Sequence, residues 1–351
     1  MNSKLKIIKE NLCDNEAAII CSPSNRFYLT DFRSSAGYVV ITKRRAVFLI
    51  DFRYFEKAKQ TVNSCEVVLQ QKAFQQINEI IDGANTVFIE TDYLSVADAK
   101  RFDDNLNATL SNDDKLSVAL RKMRSIKSED EIESIKKAQK LTDMTFSYIL
   151  PKIAVGKTEK EIMLDMEFFM RKNGSEGVSF NFIVVSGKNS SLPHGVPTDK
   201  KIQNGDFVTM DFGAVVNGYR SDMTRTVAVG SVTDEQRQVY DTVLKAQLEA
   251  IKMAKPGVIC RDVDKVARDI IEKDYAGCFG HGLGHSVGID IHEGPSFNTR
   301  DESVIEKGMV ITVEPGIYLE NKFGVRIEDM IVITDDGNID ITESPKELII
   351  L

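Results

Sequence analysis

The chain has four histidines, and three of them, His281, His285 and His292, fall within one stretch, Gly280-HGLGHSVGIDIH-Glu293. An isolated histidine is usually packed or solvated. Three together, among glycines that let a backbone approach a ligand closely, point to a site. A phosphate cradle is the poorer reading of those glycines. Gly282, Gly284 and Gly288 miss the G-x-G-x-x-G spacing, this stretch holds no Gly-Lys-Ser/Thr, and the segment runs into Ile289-Asp-Ile-His rather than a helical pattern.

Acids suited to join such a site come from two further segments. In Asp206-FVTMDFGAVVNGYRSDMTRTVAV-Gly230, two strand-like runs flank Asn217-Gly218, the preferred two-residue hairpin turn. With those two residues as the loop, Asp222 pairs with Gly213 and Thr224 with Asp211, which makes Asp222 a diagonal neighbour of Asp211 on one face. With 53 acidic residues in the chain, two solvated charges are the bland alternative. But Asp211 stands among Val208, Met210 and Phe212, where an uncompensated buried carboxylate would cost several kcal/mol, on the order of 3–5. In Gly308-MVITVEPGIYLENKFGVRIEDMIVI-Thr334, Glu314 and Glu328 likewise interrupt strongly apolar runs. Four carboxylates and an imidazole suit hard or borderline divalent ions, as in dinuclear Mn, Co or Zn hydrolase sites, and two such ions balance four negative charges.

The elements that must carry these residues form an α/β pattern. Ala17 to Cys21, Gly37 to Thr42, Ala46 to Asp51 and Thr86 to Glu90 read as strands, with helical patterns at Phe55 to Gln60 and Ala73 to Ile81, giving a mixed sheet. After a basic stretch, Leu116 to Lys127, the capping box Ser128-Glu-Asp-Glu131 opens a helix with apolar positions Ile132, Ile135, Ala138, Leu141 and Phe146. A domain boundary is placed just before it, giving domains 1–122 and 123–351. Thr158 with Glu161 and Thr233 with Gln236 announce two more helices, ending at Asn173-Gly174 and near Pro256-Gly257, and strand pairs are expected near 180–186, 206–229 and 309–333.

The segment set from about residue 123 to the end resembles that of the pita-bread dinuclear metallopeptidases, in the branch of aminopeptidase P and prolidase. The resemblance implies an α/β (α+β) fold, a pita-bread catalytic domain preceded by a smaller creatinase-like domain. Asn25-RFYLTDFRSS and Phe48-LIDFRYF-Glu56 resemble that extra domain less specifically. By the same resemblance the metal ligands would be Asp211, Asp222, His285, Glu314 and Glu328, holding two divalent ions, manganese first and cobalt or zinc next. His194 (in LPHGVP) and His292 (in DIHEGP) would hold the substrate and the developing oxyanion, Glu314 would move the proton to the leaving nitrogen, and His281 has no metal role.

The implied activity is a metallo-aminopeptidase that uses metal-activated water to release the residue before proline from peptides with proline in second position. The alternatives are an Xaa-Pro dipeptidase and a non-catalytic or metal-free homologue. Prolidases resemble one another in an arginine after the proline of the His-Glu-x-Pro segment, which would bind a dipeptide's carboxylate; Ser296 stands there, which favours peptides of three or more residues.

Bulk properties exclude other classes. A net charge of -8 with no basic stripe argues against nucleic acid, and no run of about 18 apolar residues is present for a membrane span. Five cysteines, none in Cys-x-x-Cys spacing, and lysines scattered through Met1 to Leu12 fit reduced thiols in a cytoplasmic protein without a secretory signal. A homodimer is expected from the resemblance.

Overall fold

The computed structural model describes residues 3–351, so Met1 and Asn2 of the N-terminal stretch lie outside the described residues. The chain divides into two compact units, one ending at Met123 and the other running from Arg124 to Leu351.

The first unit contains, in order, α1 (Ser3–Glu10), β1 (Glu16–Ile20), α2 (Pro23–Thr30), β2 (Tyr38–Thr42), β3 (Ala46–Ile50), α3 (Phe52–Thr61), β4 (Glu66–Leu69), α4 (Ala73–Ile80), β5 (Thr86–Ile89), α5 (Val96–Asp103), β6 (Thr109–Ser111) and α6 (Lys115–Ser125), in whose last turn the division falls. Its six strands form a mixed sheet in the order β4-β3-β2-β1-β5-β6, antiparallel from β1 through β3 and parallel elsewhere. The four strands expected from sequence are its centre, where Ala17, Ile19, Val40, Val47, Leu49 and Val87 pack together. The unexpected strands β4 and β6 are its edges. They are short and half-exposed, so little apolar alternation marks them.

The second unit opens with α7 (Glu129–Ile149) and α8 (Glu159–Lys172), followed by β7 (Ile183–Ser186), β8 (Phe207–Phe212), β9 (Val215–Val216), β10 (Tyr219–Arg220) and β11 (Met223–Ala228). Then come α9 (Asp234–Met253), α10 (Cys260–Glu272), β12 (Gly284–Ser286), β13 (Glu293–Phe297), β14 (Val310–Val313), β15 (Gly316–Leu319), β16 (Phe323–Arg326), β17 (Asp329–Ile333) and β18 (Asn338–Asp340). All three expected capping boxes form, at Ser128, Thr158 and Thr233. The helix α10 carries no such signal, because Ile259 at its start offers no side-chain cap.

Each helix pair covers a sheet. Ala138, Phe146, Ile162 and Met166 of α7 and α8 pack on Val184, Val208, Met210 and Val227 of the sheet β11-β8-β7. Val239, Val243, Val263 and Ala267 of α9 and α10 pack on Ile311, Val313 and Ile331 of the sheet β13-β12-β14-β17-β18. Each fully buried aliphatic side chain contributes about 1.5–3 kcal/mol, so the strands that carry the polar site are held by apolar layers behind them. The mixed helix and strand content is the α/β class expected.

Candidate active site

The hairpin register follows from its turn. Asn217 and Gly218 both adopt positive φ, 49° and 85°, as a type I′ turn requires. The pairs Tyr219–Val216, Met223–Phe212 and Thr224–Asp211 continue one register from it. Asp211 thus sits on β8, one step diagonal from Asp222, which immediately precedes β11. The second sheet supplies His285 from β12, Glu314 immediately after β14, and Glu328 immediately before β17. Gly284 is required beside His285: a Cβ there would meet Thr312 O at 1.9 Å, so only glycine lets β12 approach β14 this closely. A bulge between His285 and Ser286 against β13 re-aims the imidazole.

All five residues converge. Ligand atoms of Asp222, His285 and Glu328 lie within 4.8 Å of one another, and His285 Nε2 is 3.6 Å from Asp222 Oδ2 and 3.4 Å from Glu314 Oε1. Asp211 accepts from Arg326 Nη2 at 2.6 Å through Oδ2, and among the described residues neither its buried Oδ1 nor the buried Oδ1 of Asp222 has a partner.

Electrostatics shows what this donor set lacks. Burial first, then the charges of Glu328, Asp211 and Glu314, raise Asp222 well above the usual carboxylate range, and Glu328 is raised the same way by burial, Glu314 and Asp211. Glu314 is pushed up to about 8, chiefly by burial. Burial pushes His285 down to about 4, so its imidazole is neutral at pH 7 and the close approaches to Asp222 and Glu314 are not ion pairs. Its Nδ1 contacts Ser286 O at 3.2 Å and must donate there, which turns the lone pair of Nε2 toward the carboxylate oxygens. Lone pair facing lone pair is repulsive unless a proton or a cation lies between them, and a bound cation would displace the proton. Arg326, buried beside the cluster, pairs with Asp211, one of the four carboxyls. Two orphaned carboxylate oxygens, a neutral imidazole in the ligating tautomer and three carboxyls whose ionisation is suppressed by burial and by one another together fit divalent ions.

The surrounding residues hold these groups in place, and most were not evident from sequence. Thr224 Oγ donates to Glu328 Oε2 at 2.7 Å and accepts from Arg326 Nε at 3.0 Å. Arg326 Nη1 donates to Tyr318 OH at 2.8 Å. His281 Nδ1 lies 2.8 Å from Gly282 O, so its Nε2 must accept from Tyr318 OH at 2.9 Å. Both nitrogens of His281 are therefore engaged away from the carboxylates, consistent with no metal role. Arg225, 1 % exposed, donates to the carbonyls of Thr224 and Glu328 and pairs with Asp329, tying the two ligand-bearing strands together. A signal for Arg225 and Arg326 did exist, since each is a charge inside an apolar strand run.

The remaining expected residues flank the cluster. The His292 ring lies edge-on to His285 with centroids 4.4 Å apart. Desolvation and the charge of His194 lower its pKa, which places His194 near it. Both are solvent-accessible. Glu293, next to His292, is clamped by Arg124 and by Lys127 Nζ at 3.3 Å.

Similarity to known proteins agrees with this arrangement. Residues 133–335 match the model of metallopeptidase family M24, and residues 6–126 match the creatinase/prolidase N-terminal domain. The Xaa-Pro dipeptidase of Pyrococcus furiosus is 38% identical over 98% of both chains. Two solved structures superpose over nearly the full length: an Xaa-Pro dipeptidase from Bacillus anthracis (TM-score 0.94, 40% identity, 99% of this chain and 98% of that one) and an X-Pro aminopeptidase from Thermotoga maritima (TM-score 0.90, 35% identity, 98% and 97%). With its ligand-like cluster carried by two helix-backed sheets, the chain belongs to metallopeptidase family M24: it is a metallopeptidase with a creatinase-type N-terminal domain and a pita-bread catalytic domain.

Proposed function

We propose that this metallopeptidase hydrolyses the bond between an N-terminal residue and a following proline, with dipeptides as its preferred substrates. The observation that carries the reading is the convergence of Asp211, Asp222, His285, Glu314 and Glu328 with the His285 lone pair turned into the cluster. The preference for dipeptides is supported by full-length relatives named Xaa-Pro dipeptidase. It departs from the aminopeptidase reading that Ser296 favoured. That second reading keeps one specific observation: Ser296 on β13 pairs directly with His285 on β12, so the residue beside the centre is a neutral hydroxyl rather than a guanidinium.

The five residues would hold two divalent ions, manganese in our reading. Bound there, the ions supply Lewis acidity and lower the pKa of water toward neutrality. Within the protein, Glu314 is assigned the proton transfer: it takes a proton as water attacks the carbonyl carbon and delivers it to the proline nitrogen as the C–N bond breaks. His292 and His194 are assigned to donate hydrogen bonds to the carbonyl oxygen as negative charge develops there. Thr224 and Arg326 fix Glu328 and Asp211 throughout.

We take the functional boundary at residue 122/123, the compartment as the cytoplasm and the assembly as a homodimer; light scattering at a monomer's mass would overturn the last. Among the described residues no helix is long and apolar enough to cross a membrane. The activity is tested by stripping the protein with chelator, restoring Mn²⁺, and measuring kcat/KM on Gly-Pro, Gly-Pro-Ala and Gly-Ala. Cleavage of the first above the second, with Gly-Ala untouched, is the expected result. Preference for Gly-Pro-Ala would favour the aminopeptidase reading, and equal cleavage of Gly-Ala would overturn both.

A further inference from the structure

The loop that carries His194 has little apolar anchorage. Leu192 and Val196, on either side of the histidine, are 58% and 75% exposed. Yet both ends of the loop meet one buried side chain. Glu159, in the first turn of α8, is 0% exposed. Its Oε1 accepts from Ser186 N at 2.7 Å, Ser186 Oγ at 2.9 Å and Asn189 Nδ2 at 3.1 Å. Its Oε2 accepts from Thr198 N at 2.9 Å and Thr198 Oγ at 2.6 Å. Ser186 ends β7 on one side of the loop and Thr198 lies on the other, so a single carboxylate closes the segment into a ring. Two further ties lie between those ends. Gly324 N of β16 donates to Ser190 Oγ at 2.9 Å, and Arg326 Nη1 donates to Pro193 O, the residue before His194, at 3.3 Å.

A buried carboxylate is costly unless its lone pairs are filled, and charge-assisted hydrogen bonds are about twice as strong as neutral ones. This one is filled entirely from the loop it closes and needs no partner in the ion-binding cluster. We infer that Glu159 is a positioning residue for the reaction: it fixes the loop so that His194 reaches the substrate carbonyl. The inference rests on the role assigned to His194 above. A displacement of about 1 Å at a group that contacts the reacting atoms can cost on the order of a hundredfold in rate, and cutting the staple would leave the loop between Ser186 and Thr198 to the Gly324 and Arg326 contacts.

Two substitutions cut it to different degrees. In Glu159→Gln the amide NH2 must face either the Ser186 or the Thr198 donors, so one end opens. Thr198→Val removes only the hydroxyl and spares the backbone contact. The experiment is a double-mutant cycle on Mn²⁺-restored enzyme with Gly-Pro, combined with amide exchange of residues 187–198. Each variant alone is expected to lower kcat/KM by about tenfold, and by less than about twofold in a His194→Ala background, because the effect passes through that histidine. Exchange in 187–198 should rise while β8 and β11 stay protected. An equal loss in both backgrounds would show that Glu159 supports the domain generally and overturn the inference, as would full activity of both variants. If His194→Ala itself left kcat/KM unchanged, the role given to His194 would fail, an outcome separable from either of those.

Discussion

His285 Nε2 lies 3.4 Å from Glu314 Oε1, and neither group carries its ordinary protonation behaviour: the imidazole is held down near 4 and the carboxyl up near 8. The pair sets how the ion-free protein responds to pH. Glu314 holds its proton in the folded state more tightly than in the unfolded chain, where its pKa is 4.5, so its stabilising contribution is complete below 4.5 and is lost as pH rises toward 8. His281 and His285 act oppositely, but their contribution is complete once pH passes the unfolded value of 6.5. Between pH 6.5 and 8 the carboxylates alone decide the sign. Thermal unfolding in chelator should show stability falling across that window by about 2 kcal/mol or more, and saturating Mn²⁺ should abolish the fall. A rise in ion-free stability across the window would contradict the assignment.

Thr224→Val removes a hydroxyl that donates to Glu328 and accepts from Arg326, while keeping the shape of the side chain. Leaving a buried carboxylate oxygen and a guanidinium N–H without partners should cost about 1–3 kcal/mol in stability. Affinity for Mn²⁺ should fall by about ten- to a hundredfold, since Glu328 is no longer oriented. Isothermal titration checks the second figure independently of turnover, and unchanged affinity would remove Thr224 from the account.

Ser296→Arg places a guanidinium on β13 opposite His285. A bidentate contact to a dipeptide's carboxylate is worth a few kcal/mol, about 2–3, so kcat/KM for Gly-Pro relative to Gly-Pro-Ala should rise roughly tenfold or more. No shift in that ratio would mean that the carboxylate is bound elsewhere and that Ser296 does not set specificity.

How much of this was legible in sequence varies with how local the cause is. The hairpin register followed from Asn217-Gly218 alone, because turn chemistry and alternation are short-range. The three capping boxes were equally local. Asp211, Glu314 and Glu328 stood out because each interrupts an apolar run, Asp222 because of the hairpin register and His285 because of the histidine cluster, and the resemblance joined them into one set; their convergence depends on two sheets meeting, which no local pattern encodes. The support around them was largely hidden: Arg225 and Arg326 reach carbonyls and carboxylates as far as 133 residues away in sequence. Glu159 reads as an ordinary acid in a helix's first turn until the loop it closes is folded over it. Edge strands β4 and β6 and helix α10 escaped for a simpler reason, lacking respectively buried alternation and a cap.

The central claim is that the five residues form one centre for two divalent ions, and counting bound Mn²⁺ tests it most directly. Equilibrium dialysis of the wild type should give two ions per chain. Asp222→Asn keeps the size of a side chain that is 4 % exposed but removes its charge, so it should bind at most one ion with a normal circular dichroism spectrum. Two ions retained in Asp222→Asn, or none bound by the wild type, would contradict the account.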